Sequence, residues 1–164
     1  MKILHLDTTH PFLGKELEKI GFQNYYDFKS LKSELKLSGY FGIVIRSRIP
    51  IDKDFIEKCE NLKFIARIGS GTENIDTNYA QKKGIKIIST PEGNANAVGE
   101  HVLGMLLSLL NKINSSSSEV KNGIWNRESN RGIELKDKTV GLIGYGNTGK
   151  SFAKKLIGFG VNTI

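Results

Sequence analysis

Three glycines near the C-terminus set the first chemical expectation. Gly144, Gly146 and Gly149 form G-x-G-x-x-G inside Thr139-Val140-Gly141-Leu142-Ile143-Gly144-Tyr145-Gly146-Asn147-Thr148-Gly149-Lys150-Ser151. In a strand–turn–helix unit the first glycine permits a tight turn. The second lets a pyrophosphate approach the backbone, and the third lets helix and strand pack closely. The helix start adds free N–H groups and the positive end of a dipole, both suited to an anion. The same residues also spell G-x-x-x-x-G-K-[ST], from Gly144 through Gly149, Lys150 and Ser151. In that pattern a lysine meets phosphates and a serine meets magnesium. One stretch cannot serve both uses, and a glycine turn without ligand is a third reading of it.

Further candidates follow apolar runs upstream. Arg46-Ser47 follows Gly42-Ile43-Val44-Ile45, and Gly69-Ser70-Gly71 follows Phe64-Ile65-Ala66-Arg67-Ile68. Thr90-Pro91-Glu92-Gly93-Asn94 follows Ile85-Lys86-Ile87-Ile88-Ser89. A guanidinium beside exposed backbone N–H groups makes a cradle for a carboxylate or phosphate. Plainer explanations exist for each: a solvated strand end, a turn needing positive φ, a surface β-turn. Their recurrence at equivalent places is the stronger signal.

The elements that must position these residues alternate. Strands are expected at Lys2–Asp7, Phe22–Tyr26, Phe41–Arg46, Lys63–Ile68 and Ile85–Ser89, with helices at Pro11–Ile20, Phe28–Leu37, Asp52–Cys59 and Ile75–Lys83. Such alternation predicts an α/β fold with a doubly wound parallel sheet, whose ligands bind beyond the carboxyl ends of the strands. A long helix is expected from Ala97 to about Asn114, with Ser115 to Ser118 continuing or ending it before a loop around Trp125. Around the glycine turn the pattern predicts a strand at Lys138–Ile143, a helix at Ser151–Phe159 and a second strand from Val161 to Ile164. The domain boundary is expected near residue 97, giving domains 1–97 and 98–164.

Composition narrows the function classes. The 164 residues are 38% hydrophobic and 25% charged, ordinary for a soluble globular protein. The net charge is +7, but the lysines are dispersed among acids, as in Lys15-Glu16 and Glu18-Lys19. No arginine cluster or interleaved basic and aromatic run appears, so no nucleic-acid partner is expected. Cys59 is the one cysteine, which excludes an intrachain disulfide, and it has no partner at metal-ligand spacing, so no metal is expected. Asp7 interrupts the N-terminal apolar run too early for a signal peptide, and Val102 to Leu110 is too short to span a bilayer. A cytoplasmic protein without membrane partners is the expectation.

Together these residues resemble the D-isomer-specific 2-hydroxyacid dehydrogenases, in order and through nearly the whole chain. Val44-Ile45-Arg46-Ser47 is similar to the family's substrate loop, and Ala66-Arg67-Ile68-Gly69-Ser70-Gly71-Thr72-Glu73-Asn74-Ile75-Asp76 to its glycine-loop signature. Thr90-Pro91-Glu92-Gly93-Asn94 and Glu100 resemble the crossover segment. Gly123-Ile124-Trp125, Gly132-Ile133-Glu134-Leu135 and Lys138-Thr139-Val140-Gly141 resemble the approach to the cofactor turn. The resemblance selects dinucleotide over P-loop. It implies a flavodoxin-like substrate domain followed by the start of a Rossmann dinucleotide-binding domain.

The resemblance also implies roles. Arg46, Ser47, Gly69, Ser70, Gly71 and Asn94 would bind substrate, with the loop glycines and Ser70 offering N–H groups to its carboxylate. Ser70, Gly144, Gly146, Asn147, Thr148 and Gly149 would bind NAD. Thr148 replaces an apolar residue and Ser70 a threonine, and neither change removes a backbone donor. The implied reaction is hydride transfer between C2 of a D-2-hydroxy acid and nicotinamide, foremost 3-phosphoglycerate to 3-phosphohydroxypyruvate in serine biosynthesis. Reduction of hydroxypyruvate, glyoxylate or another 2-keto acid is the alternative, and a non-enzymatic nucleotide- or partner-binding remnant a further one. The catalytic arginine, glutamate and histidine that the resemblance implies would lie beyond Ile164. None of His5, His10 and His101 matches the catalytic histidine. The chain is thus expected to be an inactive front half, with residues 98–164 poorly ordered or tied to a partner. A homodimer through the 97–114 helix and the Trp125 loop is implied too.

Overall fold

A computed structural model describes residues 1–164. They fall into two compact units, Met1–Pro91 and Glu92–Ile164.

The first unit is a five-stranded, wholly parallel sheet: β1 (Lys2–His5), β2 (Gln23–Tyr26), β3 (Gly42–Ile45), β4 (Phe64–Arg67) and β5 (Lys86–Ser89). Their spatial order is β2-β1-β3-β4-β5, the flavodoxin-like order in which the connection reverses direction between β1 and β3. The helices are α1 (Pro11–Lys19), α2 (Lys53–Glu57) and α3 (Thr77–Lys82). Asp52 and Asp76 cap α2 and α3 by accepting from the N–H groups of Phe55 and Tyr79, both at 2.9 Å. The core gathers Leu4, Leu6, Ile43, Ile45, Ile51, Phe55 and Ile65, all at most 3% exposed. β3 is buried along its whole length, as expected for an inner parallel strand.

One expected helix is absent. Phe28–Leu37 is an irregular crossing with a single 3₁₀ turn at Lys32–Glu34. Local side-chain bonds compete with helix here. Asp27 Oδ1 accepts from the N–H of Ser30 at 3.0 Å and of Lys29 at 3.3 Å. Glu34 Oε2 accepts from the Leu31 N–H at 2.8 Å, and Arg48 Nη1 donates to the Ser30 carbonyl at 2.8 Å.

The second unit contains α4 (Ala95–Leu110), α5 (Ile113–Lys121), β6 (Thr139–Val140), α6 (Asn147–Leu156) and β7 (Asn162–Thr163). β6 and β7 pair in parallel, so β6, α6 and β7 form one βαβ unit. Phe152 and Leu156 of α6 pack with Leu135 against Val102, Leu103, Leu106 and Leu110 of α4.

Three boundaries differ from expectation. The long helix does not run to Asn114: it stops at Leu110, Lys112 takes a left-handed conformation (φ 50°), and α5 restarts at Ile113. The Ile133 N–H occupies the Leu110 carbonyl at 3.0 Å, and Lys112 Nζ donates to the Ser129 carbonyl at 2.6 Å, so the returning chain stabilises the break. The serines lie within α5, so they continue a helix, though one separate from α4. The strand expected at Lys138–Ile143 is reduced to Thr139–Val140, because its ladder with β7 ends at the bond from the Leu142 N–H to the Ile164 carbonyl. The helix expected at Ser151–Phe159 begins earlier, at Asn147, and closes in a 3₁₀ turn at Ile157–Phe159.

Candidate functional site

In the first unit the candidates gather where the parallel strands end. Arg46 follows β3 at the reversal point beside β1. The nearly buried Asp7 carboxylate accepts the Arg46 N–H at 2.5 Å, and Asn74 Nδ2 donates to the Arg46 carbonyl at 3.3 Å. The backbone is therefore clamped while the Arg46 side chain and Ser47 stay exposed.

Arg48, which the sequence reading passed over, is the clamp's partner. Its Nε and Nη2 donate to the Leu6 carbonyl at 3.1 and 2.6 Å, and Nη2 also donates to the Asp27 carbonyl at 2.9 Å. Its Nε lies 3.6 Å from Asp7 Oδ1. Only an arginine fork reaches three carbonyls, those of Leu6, Asp27 and Ser30, in two segments at once. No sequence period marks such a residue.

The glycine loop follows β4. Gly69 has φ 150°, a conformation that L side chains rarely adopt, and a Cβ there would lie 1.5 Å from Arg67 Nη1. The Gly69 N–H donates to Thr90 Oγ1 at 3.2 Å, and the Thr90 N–H returns a bond to the Gly69 carbonyl at 3.0 Å. Of the three loop amides expected for substrate, Gly69's is thus engaged inside the chain. The exposed Glu73 carboxylate rests over Gly71, 2.0 Å from where a Cβ would stand. Asn94 lies in the second unit, at the N-cap of α4.

In the second unit Gly144 takes φ 95°, turning the chain after β6, and α6 begins directly after Gly146. Gly149 must be glycine for space, since a Cβ there would stand 2.3 Å from the Gly144 carbonyl oxygen. Gly146 is different: its backbone is extended and nothing lies within 4 Å of its Cβ position. No side chain caps α6, so the N–H groups of Asn147, Thr148 and Gly149 have no helical partner. Lys150 is exposed, and Ser151 points toward α4, its Oγ 2.8 Å from where a Gly99 Cβ would stand. A serine turned into the helix packing cannot hold a magnesium ion at the turn, so the geometry departs from the P-loop.

Each histidine has a local role. His5 is buried in β1, Nδ1 of His10 accepts from the Phe12 N–H at the start of α1, and His101 lies exposed on α4. Cys59 is buried, its thiol donates to the Phe55 carbonyl at 3.3 Å, and burial pushes its pKa up to about 12, so it is no nucleophile at neutral pH. No helix is long and apolar enough to cross a membrane.

Comparison with known proteins converges on one family. The family model described as D-isomer specific 2-hydroxyacid dehydrogenase, catalytic domain, matches residues 3–159. A hydroxypyruvate reductase of Thermotoga maritima is 41% identical over 122 residues, covering 74% of this chain and 40% of that protein. A D-3-phosphoglycerate dehydrogenase of Methanocaldococcus jannaschii is 36% identical over 166 residues, covering 100% of this chain and 32% of that protein. Among solved structures, the NAD-dependent formate dehydrogenase of Staphylococcus aureus in complex with NAD superposes with TM-score 0.78 at 26% identity, covering 99% of this chain and 55% of that one. An acyclic imino acid reductase in complex with NADPH and D-Arg gives 0.85 at 28% identity, covering 98% and 54%. The chain therefore spans 40% or less of the length of these two curated relatives.

Proposed function

The chain belongs to the D-isomer-specific 2-hydroxyacid dehydrogenases, and we propose that it supplies the substrate-anion and pyrophosphate-binding parts of an NAD-dependent enzyme acting on a D-2-hydroxy acid. Met1–Pro91 serves as substrate domain and Glu92–Ile164 as the opening of the Rossmann domain. The observation that carries this reading is the uncapped start of α6 behind a glycine turn whose middle member, Gly146, has open space at its Cβ position. Folding does not require glycine there; close approach of a pyrophosphate does.

NAD, when bound, supplies the hydride acceptor. The N–H groups of Asn147, Thr148 and Gly149 would hold its pyrophosphate. Arg46 and Ser47 would hold the far acidic group of the substrate, and the Ser70 and Gly71 amides its carboxylate end. Binding the acid displaces the Glu73 carboxylate from Gly71. No proton-transfer role is assigned to His5, His10 or His101. The preferred substrate is 3-phosphoglycerate, because the exposed Arg46 guanidinium suits a phosphate and the phosphoglycerate dehydrogenase relative aligns over the whole chain. Reduction of hydroxypyruvate in the cytoplasm is the second reading, favoured by the higher identity to the Thermotoga protein.

Isothermal calorimetry with NADH tests the cofactor site. The wild-type chain binds NADH, and Gly146→Ala weakens binding about tenfold or more while leaving thermal stability unchanged. Gly149→Ala instead destabilises the fold by about 1–3 kcal/mol through overpacking. Binding of ATP with magnesium in preference to NADH sinks the proposal.

A further inference from the structure

Three buried polar side-chain atoms have no hydrogen-bond partner: Arg67 Nε, Asn74 Oδ1 and His5 Nδ1. Arg67 and Asn74 belong to the loops of the candidate substrate site. His5 belongs to β1 and has no part in the proposed chemistry, so its enclosure has a different meaning.

The surroundings of His5 are those of a joint between elements. Side chains alternate along β1, which puts His5 on one face with Ile3 and Asp7. From β2, Asn24 Oδ1 lies 2.8 Å from His5 Nε2, and the Tyr26 ring stands 4.7 Å from the imidazole between centroids. From α1, the Gly14 carbonyl accepts from Asn24 Nδ2 at 2.9 Å, and Glu18 Oε1 accepts from the same nitrogen at 3.2 Å. The Tyr26 hydroxyl lies against Gly14, 2.5 Å from where a Cβ would stand. β3 sets the apolar Val44 beside His5 in the register. The ionisable groups around the joint are thus Glu18, Tyr26 and Asp7. Glu18 is turned to Asn24, and the Asp7 carboxylate takes the Arg46 N–H with Arg48 beside it, so neither carboxylate pairs with the ring.

These bonds make Nε2 the donor and leave Nδ1 a bare lone pair. A proton on Nδ1 creates a buried N–H without an acceptor and a charge without a partner, so the joint must open to hydrate it. What opens depends on how each neighbour is held. β1 is paired to β3 on its inner side, whereas β2 is an edge strand with no buried residue. Of α1 only Gly14 is buried. Elements with so little buried surface open at lower cost than the core.

We propose that His5 is a pH-sensitive latch: protonation of its ring releases β2 and α1 from β1 while β1, β3, β4 and β5 stay paired. The release reaches the clamp behind Arg46. Asp27, which follows β2, donates its N–H to the His5 carbonyl and accepts from Arg48 Nη2 on its own carbonyl, both at 2.9 Å. The sign follows from burial. The opened edge holds the imidazolium proton more tightly than the closed one, so opening grows as pH falls below the usual 6.5 and is suppressed above it.

The test is amide hydrogen exchange by NMR on the 164-residue chain from about pH 7.5 to about pH 5. It is read as protection factors, which remove the intrinsic pH dependence of exchange. The N–H groups of Gln23 and Asp27 bond to the Met1 and His5 carbonyls, and they lose protection by up to about tenfold per pH unit below the usual value. The N–H groups of Leu6 and Ile68 bond to the β3 carbonyls of Val44 and Ile45, and they keep theirs. His5→Gln retains a donor for Asn24 and takes up no proton, so it abolishes the loss. Asn24→Asp sets a carboxylate against Nε2 and gives the imidazolium a partner, which diminishes the loss; it carries the comparison if His5→Gln does not fold. Edge amides whose protection does not fall with pH overturn the proposal, as does a fall that persists in His5→Gln. Equal losses at Leu6 and Ile68 mean opening of the whole sheet and overturn it too.

Discussion

His5 is enclosed completely, yet one of its ring nitrogens has no partner. Nε2 lies 2.8 Å from Asn24 Oδ1, and Asn24 Nδ2 is oriented by the Gly14 carbonyl at 2.9 Å. Nε2 must therefore carry the proton and Nδ1 the bare lone pair. Protonating Nδ1 would create a buried N–H without an acceptor. Burial itself lowers the pKa from the usual 6.5, more than the Asn24 bond raises it. The folded-state pKa lies below the unfolded one, so the unfolded chain binds more protons as pH falls. The stability that neutral His5 contributes is present above the usual value and is lost as pH drops below it. Urea midpoints at pH 7.5 and pH 5.5 check this: the wild type loses more on acidification than His5→Gln. Equal losses would show that His5 does not govern the pH response. At this scale the sequence was only partly legible. Arg46 could be picked out by its place after an apolar run, but the satisfied Arg48 and the orphaned Arg67 could not be told apart, because their difference lies in which distant carbonyls each one meets.

At the scale of elements, local bonds decided where periodicity misled. Phe28–Leu37 has helix-compatible residues, but Asp27, Glu34 and Arg48 hold its backbone in turns. Arg48 thereby ties this crossing to the end of β1 and to the loop that presents Arg46. Arg48→Met is expected to destabilise the first unit by about 2–3 kcal/mol, the range for losing hydrogen bonds to a charged group. Hydrogen exchange should quicken for the amides of Ser30 and Leu31 and for Arg46. Arg48→Lys should behave like Arg48→Met, since a single ammonium cannot span the three carbonyls. Unchanged exchange at those amides in either variant would remove Arg48 from this role. The strands, by contrast, were legible to within two residues in the first unit, most plainly β3, whose burial on both faces is written as a continuous apolar run.

At the scale of the whole molecule, the second unit exposes several large apolar side chains. Trp125 is 79% exposed, Leu109 74% and Met105 60%. An open groove of about 930 Å³ beside α4 is lined by His101, Met105, Leu109, Lys112, Val140 and Phe152. Exposed apolar surface of this kind marks association surfaces when it forms a patch. We propose that two copies pair through α4 and the Trp125 loop. Sedimentation velocity should then give a species of twice the 18.2 kDa chain mass, with Trp125→Ala and Leu109→Asp shifting it toward monomer. A wild-type chain that sediments as monomer, or a dimer indifferent to both substitutions, excludes this pairing.

What the amino-acid order determined by itself was everything written locally: the βα alternation, the apolar runs of the inner strands, and a glycine turn at Gly144, Gly146 and Gly149. These depend on spacing and on backbone freedom within a few residues. Tertiary structure alone decided the rest. It chose the strand order that puts Arg46 beside β1, turned Ser151 into the α4 packing, and stopped the long helix at Leu110. It also engaged the Gly69 amide with Thr90 and left Arg67 Nε without a partner. Each of these outcomes rests on contact between residues distant in sequence, and such contacts leave no local pattern to read.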